Sequence, residues 1–382
     1  MEFIRDTGET AAVTKPAPLK RVVGSLASVM GSFAGNVQLS RAVASMLGLA
    51  GPVALGAMAG QVKIGIVASL GGLALGGEGQ GVTFGERFRG LLYGGAAGTL
   101  AVLVGTGVSG HGAVTNLTMA AIAAVAAFFG SLSRPMARAT TLFILFAIIA
   151  ANIQGGTSHP LVITFLFFLG AVWTAGLSLA LRPLFRTMGL GRGALPGSLQ
   201  PAPRYAAKQY VRRWWKSLAH LSGWQYTVRL TLCLLAASGV DWLWPHHHGY
   251  WVLITVVILV RRDIQSSIKL TSQRAIGTVI GVLLTSLLLL GTSSIWAAVA
   301  MMASMAAVRP ILMEINYTAY AAVQTPLVLL LLDFGQPSWG GVVDRLAATL
   351  AGCAIAMVLG YVGWGRVAPS AKSYAASKGT AK

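Results

Sequence analysis

Apolar residues run along this chain in long blocks separated by short polar breaks. The blocks lie near 42–60, 62–77, 91–109, 113–132, 138–153 and 160–181, then, after a polar and basic gap, near 228–244, 248–261, 275–291, 294–309, 313–332 and 345–364. None alternates with the period of two that marks a barrel strand, so each block predicts a helix. A membrane-crossing helix needs about 20 apolar residues, or about 17 where the fit is tight. The pattern therefore predicts an all-α integral membrane protein with about twelve transmembrane helices.

Composition sharpens this. Of 382 residues, 55% are hydrophobic and only 10% charged, with a mean hydropathy of +0.70. A soluble domain carries about 25% charged residues. A soluble enzyme, a disordered chain and a disulfide-rich secreted scaffold are all excluded. The 47 glycines lie largely inside the apolar blocks, as in helices that pack closely in lipid. Cys233 and Cys353 fall within such blocks and read as small packing residues. No secretory signal is evident in the first 35 residues.

The charge is lopsided: 29 Lys and Arg against 10 Asp and Glu, a net +19. In a soluble protein this would suggest nucleic acid. Here the basic residues gather in alternate loops, leaving only Lys63 and Arg345 on the other side. The positive-inside rule then predicts that both termini are cytoplasmic. Each set of six blocks opens with an arginine, Arg41 or Arg229, followed by a short second block, a basic loop and a glycine-rich third block. This predicts two six-helix halves in parallel repeat. The expected units are a cytoplasmic segment 1–40, a first half 41–182, a basic linker 183–226, a second half 227–365 and a tail 366–382. Within the linker, Tyr205 to Leu221 is basic, rich in tryptophan and patterned as an amphipathic helix on the inner leaflet. Membrane lipid accounts for its charge better than nucleic acid, which is not an expected partner.

Three stretches are informative in detail. His248-Gly-Tyr-Trp-Val-Leu-Ile-Thr255 opens the eighth block, Arg274-Ala-Ile-Gly-Thr-Val-Ile-Gly281 the ninth, and Arg345-Leu-Ala-Ala-Thr-Leu-Ala-Gly352 the last. Together they resemble the signature of the fusaric-acid-resistance-like (FUSC) family of aromatic acid exporters. The resemblance is strong over about 225–365 and weak over 40–182, where Gly94 and Gly98-Thr99 remain but the Tyr-Trp pair and the full arginine motif are missing. It implies export of aromatic carboxylates or similar amphipathic anions, through a pore built from two six-helix units. Many members also carry a sizeable cytoplasmic domain, for which this chain has no room.

An organic anion in a membrane needs an aromatic or apolar wall, a few donors and a buried cation. The candidates for substrate contact are Tyr250, Trp251, Thr255, Arg274, Asn152, Tyr317, Tyr320 and Gln324. Position alone allows Tyr250 and Trp251 to belong to an interfacial aromatic belt. Snorkelling to lipid headgroups is the expected role of Arg41 and Arg229. Asn152 with Gln154, and Gln324 with Thr325, fall late in the fifth block of each half, as polar spots on a central path would. Arg345, a cation on the outer side beside Asp344 and near Asp333, is the candidate outer gate. His246-His247-His248 lacks the spacing of metal ligands and reads as an outer loop. No nucleophile elbow, phosphate loop or metal-binding helix is present in the sequence, and no cofactor is expected.

The expected function is therefore secondary export of aromatic or amphipathic anions, with a periplasmic adaptor or a second copy as further partners. The alternative from another class is a membrane scaffold or accessory subunit of an envelope pathway. The topology is open to direct test. In a cysteine-free background, Cys at His247 should react with an impermeant thiol reagent in intact cells and Cys at Ser198 should not; the opposite pattern would reverse the orientation.

Overall fold

A computed structural model describes residues 36–76, 84–152, 159–187, 221–244, 249–291, 294–332 and 339–362, with a few isolated positions besides, among them Trp214 and Trp215 of the linker. Gln154, His246–His248, Asp333, Phe334 and most of the expected linker helix lie outside the described residues. The described chain is helical, with no strand among its residues. Its helices are α1 Asn36–Met58, α2 Val62–Leu75, α3 Phe84–Val108, α4 Ala113–Gly130, α5 Arg134–Asn152, α6 Pro160–Thr187, α7 Leu221–Leu243, α8 Tyr250–Leu259, α9 Ile264–Gly291, α10 Ile295–Ile315, α11 Tyr317–Leu332 and α12 Trp339–Val358.

Every apolar block lies in a helix, but several boundaries move. Helices α1, α3, α5, α7, α9 and α12 begin before their apolar blocks, and α6 and α10 end after theirs. Hydropathy marks where a helix is greasy; hydrogen bonding carries it on through flanking polar turns such as Gln265 to Gln273. Among the described residues seven helices are long and apolar enough to cross a membrane: all of α3 and α10, and most of α1, α5, α6, α9 and α12. Four more are apolar but shorter, and α7 is long but carries Gln225, Arg229 and Asp241. The short α8 has ten residues, about 15 Å of rise. It can be short because Trp251 through Val257, and Leu259, are buried in protein, which then replaces lipid as its solvent.

Packing follows a definite list of neighbours. Among the first six helices, α3 packs on α5 and α6, α2 on α1 and α6, α1 on α6, and α4 on α5. Among the last six, α9 packs on α11 and α12, α8 on α7 and α12, and α10 on α11. Two principal seams join the sets, α1 on α10 and α4 on α7, and α8 also reaches α5. The closest approaches need glycine. A Cβ on Gly170 would stand 1.7 Å from the Ala68 carbonyl oxygen, and one on Gly277 would stand 2.5 Å from that of Thr318. Small residues let these backbones touch, and dispersion across the contact replaces the hydrophobic drive that lipid removes.

Gly170→Val should therefore force α2 and α6 apart and lower stability by about 1–3 kcal/mol. Gly176→Val on the same helix, where a Cβ meets nothing within 4 Å, is the control. Thermal unfolding in detergent compares the two; equal midpoints would refute the tight seam.

Candidate functional site

The turns after α4, α8 and α10 gather at the end of the bundle that also receives the linker, here the linker end. Arginines at this end meet helix termini. Arg229 is 0% exposed, and its Nε donates to the Gly360 carbonyl just past α12 at 2.5 Å. Its guanidinium also lies 5.4 Å from the Tyr361 ring. The Tyr361 hydroxyl in turn donates to the Leu259 carbonyl, the last of α8, at 2.7 Å. Arg309 on α10 reaches the last turn of α2, with Nη2 at 3.4 Å from the Leu73 carbonyl oxygen. Each finds carbonyls that have no amide partner in their own helix and a helix dipole of favourable sign. Arg262, in the turn after α8, sits 4.8 Å over the Tyr226 ring. Burial draws its pKa down while Tyr226 opposes that shift. The linker is fastened here too: the Trp214 indole donates to Ser131 Oγ at 2.6 Å and its ring meets Phe128 edge-on.

These contacts correct the snorkelling expectation. Arg229 does not reach for headgroups, since burial leaves it no exposed surface and its donor goes to backbone. Arg41 is half-buried and forms an ion pair with Glu314 across the α1–α10 seam. The seam between α4 and α7 has its own polar tie, Asn116 donating to Asp241. Asn116 and Asp241 both stand out as polar residues in apolar blocks, and that was the available signal for this tie.

Arg274 is different. It is 2% exposed, in the third turn of α9, and its Nε makes no hydrogen bond. It acts electrostatically on Tyr317, at the start of α11, and on Cys353 of α12. The Tyr317 and Tyr320 rings lie 5.6 Å apart. Arg274, Tyr317 and Tyr320 are thus brought together at the linker end.

A second group forms at the far end. Arg345, also 2% exposed, places its guanidinium carbon 3.7 Å from the centre of the Trp251 ring, and Tyr250 stacks on Trp251 at 4.9 Å. A cation in the first turns of a helix opposes the helix dipole. A desolvated cation–π contact offsets this with about 2 kcal/mol. Asp344 is half-buried beside it.

The remaining candidates stand apart from both groups. The Thr255 hydroxyl donates to the Trp251 carbonyl at 2.8 Å, and its side chain lies against Gly352 where α8 meets α12. Asn152 donates to the Ile148 carbonyl in its own helix. Gln324 keeps a buried Oε1 without a partner on α11. An open groove of about 550 Å3 between α3, α4 and α5 is apolar and is lined by none of these residues; Leu100, Val125, Phe129 and Phe143 form its walls.

Both arginine–aromatic groups fall inside one stretch, residues 233–359, which matches the fusaric acid resistance protein-like family. The stretch is similar to that family. It spans α7 from Cys233 through the end of α12, roughly a third of the chain. The family is one of membrane transport and efflux. No curated relative and no solved structure matches the chain.

Arg229→Ala should leave the Gly360 carbonyl without its partner and cost about 1–3 kcal/mol. The measurement is the unfolding midpoint beside expression level. An unchanged midpoint would show that the α7–α12 latch does not hold the linker end.

Proposed function

We propose that the protein exports aromatic carboxylates or other amphipathic organic anions from a bacterial cell, through a path between two repeated six-helix halves of the inner membrane. The observation that carries this reading is the family match, which falls on the half where buried Arg274 and Arg345 stand near aromatic residues. A buried cation offsets the desolvation of an anion, and aromatic faces suit its apolar body. Tyr250, Trp251, Thr255, Arg274, Asn152, Tyr317, Tyr320 and Gln324 are the proposed substrate contacts.

The neighbours of each helix support the repeat. Advancing each helix by six turns α3–α5 into α9–α11, α2–α6 into α8–α12, α1–α2 into α7–α8 and α4–α5 into α10–α11. The seam α1–α10 becomes α7–α4, the other principal seam. A parallel repeat of this kind has its axis along the membrane normal, and the path between its halves is the natural place for substrate. With both termini cytoplasmic, the linker end faces the cytoplasm and receives the substrate, and the inside-negative potential favours exit of an anion.

Arg345, with Asp344 and Asp333, forms the outer gate in this reading. The stack on Trp251 belongs to the closed state. The reading is tested with purified protein in vesicles loaded with a panel of radiolabelled aromatic acids. Efflux of at least one acid is expected, and no efflux of any would favour the scaffold alternative. In the same assay Arg345→Ala should shift the population toward outward-open and change the efflux rate. Breaking a gating pair that is buried when closed costs the closed state about 3–5 kcal/mol. Wild-type efflux at wild-type expression would remove Arg345 from the gate.

A further inference from the structure

Most buried threonines in these helices follow one habit. Thr255, Thr271, Thr285, Thr325 and Thr349 each donate their hydroxyl to the carbonyl four residues back. Thr278 does not. It is 0% exposed and its Oγ1 has no partner. One turn before it on the same face stands Arg274, whose Nε is also unbonded. Gly277, between them, presses that face of α9 onto the start of α11, with its Cβ position 2.5 Å from the Thr318 carbonyl oxygen. Tyr317, the first residue of α11, has a buried Oη within hydrogen-bonding reach of Arg274.

Two neighbouring donors left unbonded, Arg274 Nε and Thr278 Oγ1, are unusual, because a buried donor without a partner is unfavourable. We infer that Arg274, Thr278 and Tyr317 together bind the carboxylate of the transported acid, an inference that rests on the transport reading above. A carboxylate is acceptor-only and offers about four lone-pair sites, so it can take all three donors at once. The charge of Arg274 makes the bond to it the strongest of the three. The Tyr317 and Tyr320 rings beside the donors face the apolar part of the same molecule. The first six helices hold the incomplete counterpart. Gly98-Thr99 on α3 repeats Gly277-Thr278, and Thr99 Oγ1 is likewise buried and unbonded, but Gly95 stands one turn before it where α9 has Arg274. Among the described residues, then, this counterpart lacks the cation of the proposed site.

The test uses full-length protein in detergent, with thermal shift measured against sodium benzoate, benzyl alcohol and a short-chain phosphatidylglycerol. Benzoate should stabilise the wild type saturably. Arg274→Gln, Thr278→Val and Tyr317→Phe should each weaken its apparent affinity about tenfold or more, with unliganded midpoints reported alongside. Thr278→Val and Tyr317→Phe keep shape, so they still discriminate if Arg274→Gln folds poorly. No benzoate shift in the wild type would overturn the site, as would unchanged affinity in the variants. An equal response to benzyl alcohol would overturn it by showing that charge is not recognised. A response to phosphatidylglycerol alone would overturn it in favour of a lipid headgroup. The transport reading fails separately. Affinity lost in the variants, with no acid exported by the wild type, would keep the site and sink that reading. Export with affinity unchanged in the variants would do the reverse.

Discussion

A helix that ends at a membrane boundary leaves its last carbonyls with no amide to bond, and water there is scarce. At the linker end of this bundle, arginine answers that constraint. Arg229 meets the carbonyl beyond α12, Arg309 that of the last turn of α2, and Tyr361 serves α8 in the same way. Each contact satisfies a carbonyl and fixes one helix against another, so helix termination and tertiary packing become the same event. The guanidinium suits this work because it stays charged and offers several donors in a fixed plane.

Once those ends are held, the rest of the bundle can pack through small residues. Glycines at the α2–α6 and α9–α11 seams bring backbones into contact, and most buried threonines turn their hydroxyls back on their own helices. Most buried threonine hydroxyls are thereby satisfied. Against that background the exceptions are conspicuous: an arginine that bonds no carbonyl with its Nε, and a threonine that ignores the local acceptor. A site for a charged ligand is what such exceptions would provide.

Much of the fold was legible because hydropathy and helix length report the same physics. Every apolar block became a helix, and the short second block of each half became the short α2 and α8. Helix ends were not legible, since Ile264 to Gln273 are polar enough to read as loop yet continue α9. Of the candidate site, the Tyr250–Trp251 pair and Arg274 with Tyr317 could be picked out by residue type, and the contact of Trp251 with Arg345 could not, because it joins positions far apart in sequence. The role of Arg229 was misjudged for a related reason. An arginine at the start of an apolar block looks the same in sequence whether it faces lipid or the carbonyl of a distant helix.

The long reach of these arginines bears on how the protein is made. Arg309 lies 236 residues after the carbonyl it meets on α2, and Glu314 lies 273 after Arg41. Ribosomes deliver roughly 5–20 residues each second. For many seconds, then, the first six helices sit in the bilayer with the end of α2 bare and Arg41 without its acid. Only the arrival of α10 completes them. Assembly of the first half is thus conditional on synthesis of the second, and a nascent chain halted before α10 would present the quality-control machinery with an exposed helix end and an unmatched charge.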